Sequence, residues 1–499
     1  MDFRKIGLVI FSAIATLLSF PPFPFGPLIF ISLVPLYYAI EDFQPFRAFR
    51  YGMLWGVIFF LGYLFYIAWV TIPGMIATVL ILSLFTALAC MFFVKLLSKN
   101  KIIALLFVPS WFVTWNWLFT MSDFNYPWAD IGYALGYFTR LIQAADIGGI
   151  YLISLAILVS NMLLYASISP KINMSSSKRY ASWAMSICIV GLLLIYGTIR
   201  LNNADNENYS DGIKVGVIQG NVTADVKWKP DKLNISFERY FGLSTQAAND
   251  GAEIIFWPET AIPAYLVQDR RRYRTVKSFV DNLKIPVLTG IPYYEEIKPR
   301  EYIYYNSALY LEPDKDEYGL YKKIHLVPMS EKIPLSGRYK ILKEIRLGQA
   351  DWTSGEEYTM FEFKDYKFAT VICIESVFPG FCREFAQRGA QFLVVITNDM
   401  WFGNTPLMEQ HSLISVFRAI ENRLPVVRAA NTGVSLIIDK WGRIINKSDI
   451  YKEQYLSEKI YPENSKSIYG KFGNLIPKLT SIITLFALII AFRKSSKYT

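Results

Sequence analysis

Histidine is nearly missing from this chain: its 499 residues include 2, His325 and His411. Cysteine is scarce as well, with 4, and no two of them form a Cys-x-x-Cys pair. Zinc chemistry is left without a ligand set, and no metal or organic cofactor is expected. Charge is also low, 18% of residues against 53% hydrophobic, with a mean hydropathy of +0.28. Those values exclude an ordinary soluble protein and point to membrane spans joined to a folded domain. No basic stripe is interleaved with aromatics, so a nucleic-acid partner is not expected. There is no internal repeat and no low-complexity segment. A cleavable leader is not expected either. Met1-Asp-Phe-Arg-Lys opens an apolar run, but Pro21-Pro22-Phe23-Pro24 follows it instead of a small-x-small site, which predicts an uncleaved first span.

What the chain does have is apolar length. Runs recur at roughly 7–20, 28–41, 52–70, 75–95, 102–121, 145–168 and 180–199, with a last one at roughly 475–492. The first two are short for a bilayer of about 30 Å. Cys90 and Cys188 fall inside such runs and are expected as small core residues. The net charge of +10 is concentrated between the runs. Arg4-Lys5, Arg47 and Arg50, Lys95 to Lys101, Lys171 to Arg179, and Arg493 to Lys497 all fall on one side. Pro21–Pro27 and Thr71–Gly74 carry no Lys or Arg, and the longer Met121–Ala144 link has only Arg140. The positive-inside rule then gives about eight spans with both termini cytoplasmic and the segment after Arg200 outside. The expected domains are spans over 1–200, a catalytic domain over 212–460, and a return linker with a final span over 461–499.

From Gly212 on, short β-rich runs alternate with amphipathic stretches, which predicts a layered α/β domain of about 250 residues. Three of its runs place a reactive group at a polar end. Phe256-Trp257-Pro258-Glu259 ends in a carboxylate. Tyr321 to Pro328 carries Lys323 just before a strand-like His-Leu-Val-Pro. Lys367 to Ser376, KFATVICIES, reads as a strand with a thiol, Cys373, near its end. A thiol attacking an acyl carbon needs a base to take its proton and a donor for the oxyanion that forms. A glutamate, a lysine and a cysteine supply those three roles. His325 and His411 are expected to pack or hydrogen-bond near the thiol, since Glu259 already offers a base. Trp257, Trp401 and Trp441 are expected as packing or lid residues. Cys373 and Cys382 would also be able to pair in an oxidising compartment, which would silence the thiol.

The order Glu–Lys–Cys, in the contexts FWPE, K-x-H-L-V-P and C-x-E, resembles the nitrilase, or carbon–nitrogen hydrolase, superfamily. Such a domain between seven upstream spans and one downstream span is similar to the apolipoprotein N-acyltransferase family. The resemblance implies an αββα sandwich attached to the helical spans. It implies Glu259 as general base, Lys323 as catalytic lysine and Cys373 as thioester-forming nucleophile. Glu331 in PMSEKIP, Glu375 two residues after the thiol, Trp228 in GNVTADVKW and Asn306 in YYNSA match supporting positions. So do Trp401 in TNDMWFG, His411, and the RAANTG run Arg428–Gly433. Two departures stand out. Ile374 replaces the usual aromatic after the nucleophile, and Asn116-Trp117-Leu118-Phe119 replaces Glu-Trp-Leu-Arg.

The implied reaction moves the sn-1 acyl chain of a phospholipid, through the thioester, to the α-amine of a lipoprotein's diacylglyceryl-cysteine. The implied location is the bacterial inner membrane, with the catalytic domain periplasmic and the protein monomeric. Tyr126, Trp128 and the loop Phe402–Leu407 are candidates to line an opening toward lipid. Two other classes stay open on the residues. A membrane-tethered amidase would use the same three side chains with water as acceptor. A non-catalytic transporter or receptor would carry a degenerate outer domain, and the intact Glu259, Lys323 and Cys373 speak against that.

Overall fold

The computed structural model describes residues 2–205, 212–227, 233–336, 338–339 and 352–493. The chain divides into two compact units, one of Met1–Ser122, Pro127–Leu201 and Asn474–Thr499, the other of Asp123–Tyr126 and Asn202–Gly473.

The first unit is helical. Among the described residues six helices are long and apolar enough to cross a bilayer: Pro45–Trp69, Ile72–Leu97, Lys101–Phe119, Ala145–Ile168, Ser176–Asp205 and Leu475–Phe492. The two earlier runs fall short of that length. α1 (Phe3–Leu18) has 16 residues, a rise of about 24 Å against a hydrocarbon core of about 30 Å. The next run splits into a 3₁₀ turn, Gly26–Phe30, and α2 (Val34–Ile40), with a proline in the first turn of each. Proline lacks the N–H that a continuous helix would need there. α3 (Pro45–Leu64) and α4 (Ile72–Leu97) meet through small residues. A Cβ on Gly52 would lie 2.8 Å from the Ala87 Cα, and one on Gly56 would lie 2.7 Å from the Ser83 Cα. Four-residue spacing puts both glycines on one helix face, and the two backbones can therefore touch.

α5 (Lys101–Phe119), α6 (Thr139–Ile142), α7 (Ala145–Ile168) and α8 (Ser176–Asp205) continue the unit. Asn116 donates its amide to Asp130 Oδ2 at 2.9 Å, and Gly132 N donates to Asp130 Oδ1 at 3.0 Å. Two expectations fail in this unit. Cys90 is buried but Cys188 is exposed. An apolar helix of this kind presents much of its surface outward, so an apolar run does not mark core as it does in a soluble protein. Trp128, expected at an interface, is buried, and its ring stands edge-on to Tyr66 at 6.5 Å.

The second unit contains two six-stranded sheets. The first runs in the order β12-β1-β2-β3-β4-β5, from β1 (Ile213–Gln219), β2 (Ile254–Phe256), β3 (Val287–Lys298), β4 (Glu301–Leu311), β5 (Tyr318–Lys322) and β12 (Gln454–Ile460). The second runs β11-β10-β9-β8-β7-β6, from β6 (Met360–Phe363), β7 (Tyr366–Ile372), β8 (Phe392–Thr397), β9 (Val426–Ala430), β10 (Leu436–Ile438) and β11 (Ile444–Lys447). Each sheet centres on three parallel strands, β1-β2-β3 and β7-β8-β9, with antiparallel strands outside them. Parallel strands such as Ile-Ile-Phe and Phe-Leu-Val-Val-Ile read as unbroken apolar runs, because both of their faces are covered.

Phe256 of the first sheet meets Phe368 and Phe392 of the second at 6.0 and 6.4 Å. All three rings are fully buried, each contributing about 1.5–3 kcal/mol of burial. On its other face the first sheet carries α10 (Leu233–Asn249) and α11 (Arg270–Leu283), following the short α9 (Ala224–Lys227). Tyr240 of α10 stacks on Trp257 at 5.2 Å, and the indole donates to Ser244 at 2.8 Å. α12 (Pro379–Gln387) joins β7 to β8, and α13 (Leu407–Asn422) joins β8 to β9. α14 (Ile468–Phe472) closes this unit, and α15 (Leu475–Phe492) belongs to the first.

Candidate active site

Glu259 and Cys373 stand where the central strands β2 and β7 end, and Lys323 follows the edge strand β5. β7 stops at Ile372, and Cys373 turns the chain with φ of 54°. That left-handed conformation costs a residue with a Cβ about 1–2 kcal/mol, so the surroundings must hold it in place. Glu375 does so from inside. Its Oε2 accepts from Ile372 N at 2.7 Å. Its Oε1 accepts from Tyr321 OH at 2.7 Å, Ile324 N at 2.7 Å and His325 N at 3.0 Å. One buried carboxylate thus ties the cysteine turn to the segment that carries Lys323, which is a physical reason for the Cys-x-Glu spacing.

A second cluster braces the same turn. Ser376 donates to Cys373 O at 2.8 Å, and His411 Nε2 lies 3.1 Å from Ser376 Oγ and 3.3 Å from Cys373 O. His411 Nδ1 is 2.9 Å from Asp399 Oδ1, and Arg428 donates to Asp399 Oδ2 at 2.8 Å. Burial opposes the Asp399 charge, but His411 and Arg428 outweigh it and pull the carboxyl down to about 2. Burial, then Arg428, lowers His411. His411 thus stands between the Asp399–Arg428 pair and the carbonyl of the Cys373 turn. His325 lies flat on Phe378 at 4.4 Å and meets the edge of Phe381 at 4.7 Å. Burial, helped by Lys323, pushes it down to about 4.

Glu259 follows β2 and is buried. Its Oε1 accepts from Asn306 Nδ2 at 2.7 Å, and its Oε2 accepts from the backbone N–H of Asn398 at 2.9 Å. Lys323 Nζ stands 3.7 Å from Glu259 Oε1 and 2.8 Å from Glu331 Oε2. Glu331 also accepts from Asn306 at 3.1 Å and from Val327 N at 2.8 Å. Burial works against the Lys323 charge, but Glu331 and Glu259 more than offset it and hold the ammonium above the usual lysine range. Burial raises Glu259, while Lys323 and the Asn306 amide draw it back. The Cys373 thiol is raised by burial and then by Glu259, with Lys323 opposing. The resting site thus combines a neutral thiol, a carboxylate above its ordinary range and a firmly charged lysine.

The space around Glu259 depends on a missing side chain. A Cβ on Gly290 of β3 would lie 2.4 Å from Thr260 N and 2.5 Å from the Glu259 Cα. Gly290→Ala is therefore expected to destabilise the fold by about 1–3 kcal/mol and to displace Glu259, seen as a lower Tm together with a fall in activity.

Several expectations change on this geometry. His-Leu-Val-Pro is a loop rather than a strand: β5 ends at Lys322, and Lys323 begins the turn that Glu375 anchors. Trp228 lies outside the described residues. Trp401 is half-buried on a 3₁₀ turn, Asp399–Phe402. All four cysteines are free, and the Cys382 thiol points at Glu375 O at 3.7 Å, so Cys373 and Cys382 do not pair. Sequence reading missed Lys227, a buried lysine whose Nζ donates to the backbone oxygen of Glu259 at 3.3 Å. It gave no signal because it sits in a polar stretch that reads as surface. It also did not assign roles to Asn398, Asp399 and Arg428. Among the described residues no group of three His, Cys, Asp or Glu is arranged to hold a metal ion.

Two family profiles match the chain: Carbon-nitrogen hydrolase over residues 214–468 and Apolipoprotein N-acyltransferase N-terminal domain over residues 12–163. The apolipoprotein N-acyltransferase of Geobacter metallireducens is 30% identical over 99% of this chain and 96% of its own length. That of Chlorobaculum tepidum is 29% identical over 98% and 97%. Among solved structures, an amidase from Nesterenkonia sp. is similar at 16% identity, with a TM-score of 0.39, over 53% of this chain and 95% of its own.

Proposed function

This chain belongs to the apolipoprotein N-acyltransferase family of the carbon–nitrogen hydrolases, and on that premise we propose how its residues carry out the transfer. The protein is a multi-pass membrane enzyme that N-acylates lipoproteins. The observation that carries the mechanism is the pairing of Lys323 with both Glu259 and Glu331 beside a cysteine held in a left-handed turn.

Cys373 attacks the sn-1 ester carbonyl of a phospholipid while Glu259 takes the thiol proton. A raised thiol needs that base in the same step, since little thiolate exists beforehand. Lys323 is too firmly protonated to act as a base and instead steadies the oxyanion, together with a backbone N–H. The intermediate collapses, the proton on Glu259 passes to the departing alkoxide, and a lysophospholipid leaves. The α-amine of the diacylglyceryl-cysteine then attacks the thioester and loses its proton to Glu259. The amide forms, and the sulfur recovers the proton. Glu331 fixes the lysine head, Asn306 bridges the two glutamates, and Glu375 and His411 keep the turn in place. Trp401 is assigned a supporting part in substrate binding, as is Trp228 on its sequence match alone.

Around this core we read an αββα sandwich over 212–460, spans over 1–200 and a final span within 461–499. The total is about eight crossings, with α1 and the 26–40 segment as short ones. The location we read is the inner membrane, and the distribution of Lys and Arg favours a periplasmic catalytic domain and cytoplasmic termini. Both substrates are lipid-anchored, which accounts for a hydrolase-like domain tied to so many helices. A monomer suffices, because one chain supplies every group named.

Mass spectrometry of protein incubated with phospholipid should find an acyl adduct on Cys373, and a diacylated lipopeptide should then become triacylated. Free fatty acid with no triacylated peptide would mean that water is the acceptor and would favour the amidase reading. The pH dependence gives a separate check. Glu259 must be ionised to act, so the rate falls as pH drops through its raised value. Asn306→Ala removes a hydrogen bond that favours the ionised form, and the acid limb of kcat/KM should move to higher pH.

A further inference from the structure

Four charged or titratable groups face Glu259: Lys323 and Glu331 from the segment after β5, Cys373 from the end of β7, and Lys227 from α9. The first three belong to the mechanism above, and Lys227 is left over. Its side chain is 2% exposed. The one acceptor of its Nζ among the described residues is the backbone oxygen of Glu259, at 3.3 Å. No carboxylate forms an ion pair with it among those residues, whereas Lys323 has two. Burying an ammonium costs far more than leaving it in water, so a lysine at this place asks for a reason beyond packing. An amine kept at that cost, against the backbone of the proposed base, is placed to act on that base.

We propose that Lys227 is a positioning residue for Glu259, gripping the backbone of the Trp-Pro-Glu turn and using its charge to hold the carboxyl ionised at the lower end of the working pH range. The inference rests on Glu259 being the base. The Coulombic reasoning is direct: a cation near a carboxyl favours its charged form, and the low-dielectric surroundings strengthen the effect. Burial pulls Lys227 down to about 7, with Glu259 drawing it back up. Its charge is therefore present below neutrality, where Glu259 needs help to stay ionised, and fades above it. The two groups would widen the active range toward acid without adding a fixed charge at higher pH.

The test is single-turnover acylation of the full-length enzyme in detergent with a labelled phospholipid, followed from acid to alkaline pH. Lys227→Met should shift the acid limb to higher pH, with a loss of about tenfold at the acid end that shrinks as pH rises. Lys227→Arg, which keeps a charge and a donor, should restore the wild-type limb. A Lys227→Met rate lowered by the same factor at every pH would reduce Lys227 to packing and overturn the proposal, and so would an unmoved limb with full activity. Should Lys227→Met fail to fold, the arginine variant still decides. Its charge persists at high pH, so its limb must lie at or below that of the wild type, and a limb displaced upward would refute the idea. Glu259→Gln is run alongside. If it still forms acyl-enzyme at the wild-type rate, the assignment of Glu259 as base fails, whatever Lys227 does.

Discussion

Cys373→Ala should leave no acyl-enzyme and cut transfer by roughly four orders of magnitude or more, the scale expected when a covalent nucleophile is removed. Incubation with labelled phospholipid and mass spectrometry of the intact protein measure it. An adduct that survives the substitution would place the nucleophile elsewhere. A second readout comes from the backbone. Because residue 373 has φ of 54°, Cys373→Gly relieves a strain that Cys373→Ala retains. The two variants should be equally inactive, but the glycine protein should be more stable by about 1 kcal/mol, seen as a higher Tm. Equal melting temperatures would mean that the turn costs nothing to hold, against the idea that Glu375 and His411 maintain it.

Some of this site was legible in the residues and some was not, for identifiable reasons. Glu259 and Cys373 each lie at the end of an apolar run and Lys323 just before one, and a reactive group beside a buried strand is a pattern that local sequence carries. Lys227 is not, since a lysine in a polar stretch reads as solvated until tertiary packing encloses it. The His-Leu-Val-Pro segment looks extended by composition, but Glu375 captures the backbone N–H groups of Ile324 and His325, and a side-chain acceptor replaces the strand partner. That contact joins residues about fifty positions apart, which no local window sees. In the helices, apolar run length located the long segments well. It misjudged Cys188, because hydropathy does not distinguish an outward helix face from a packed one; Trp128, expected at an interface as a link aromatic, is enclosed by packing beside Tyr66.

Glu375→Ala should be the most damaging change away from the reacting atoms. Its carboxylate receives four donors, three backbone N–H groups and the Tyr321 hydroxyl. Each unmet buried donor costs about 1–3 kcal/mol, and water entering the vacated space would recover part of that. A net loss of about 3–5 kcal/mol is expected. Acylation should fall with it, since the cysteine turn and the Lys323 segment lose their common anchor. Glu375→Gln is not a rescue, because its amide nitrogen would meet a donor on whichever side it faced. Thermal melts and acylation rates of the folded fraction measure both effects. A Glu375→Ala protein that melts like the wild type would show that the two segments are held independently.

The pairing of β1 with β12 sets the timetable for making this protein. Ile213 and Ile460 are register partners, and the antiparallel ladder runs between them to Gln219 and Gln454. The strand that opens the domain is thus zipped to one synthesised about 240 residues later. Until the ribosome has delivered that late strand, β1 has a bare edge, exposed to any other extended chain nearby. A nascent chain stalled before residue 454 would carry every proposed catalytic side chain and still lack the seam that closes the domain. Chaperone demand should therefore peak late in translation.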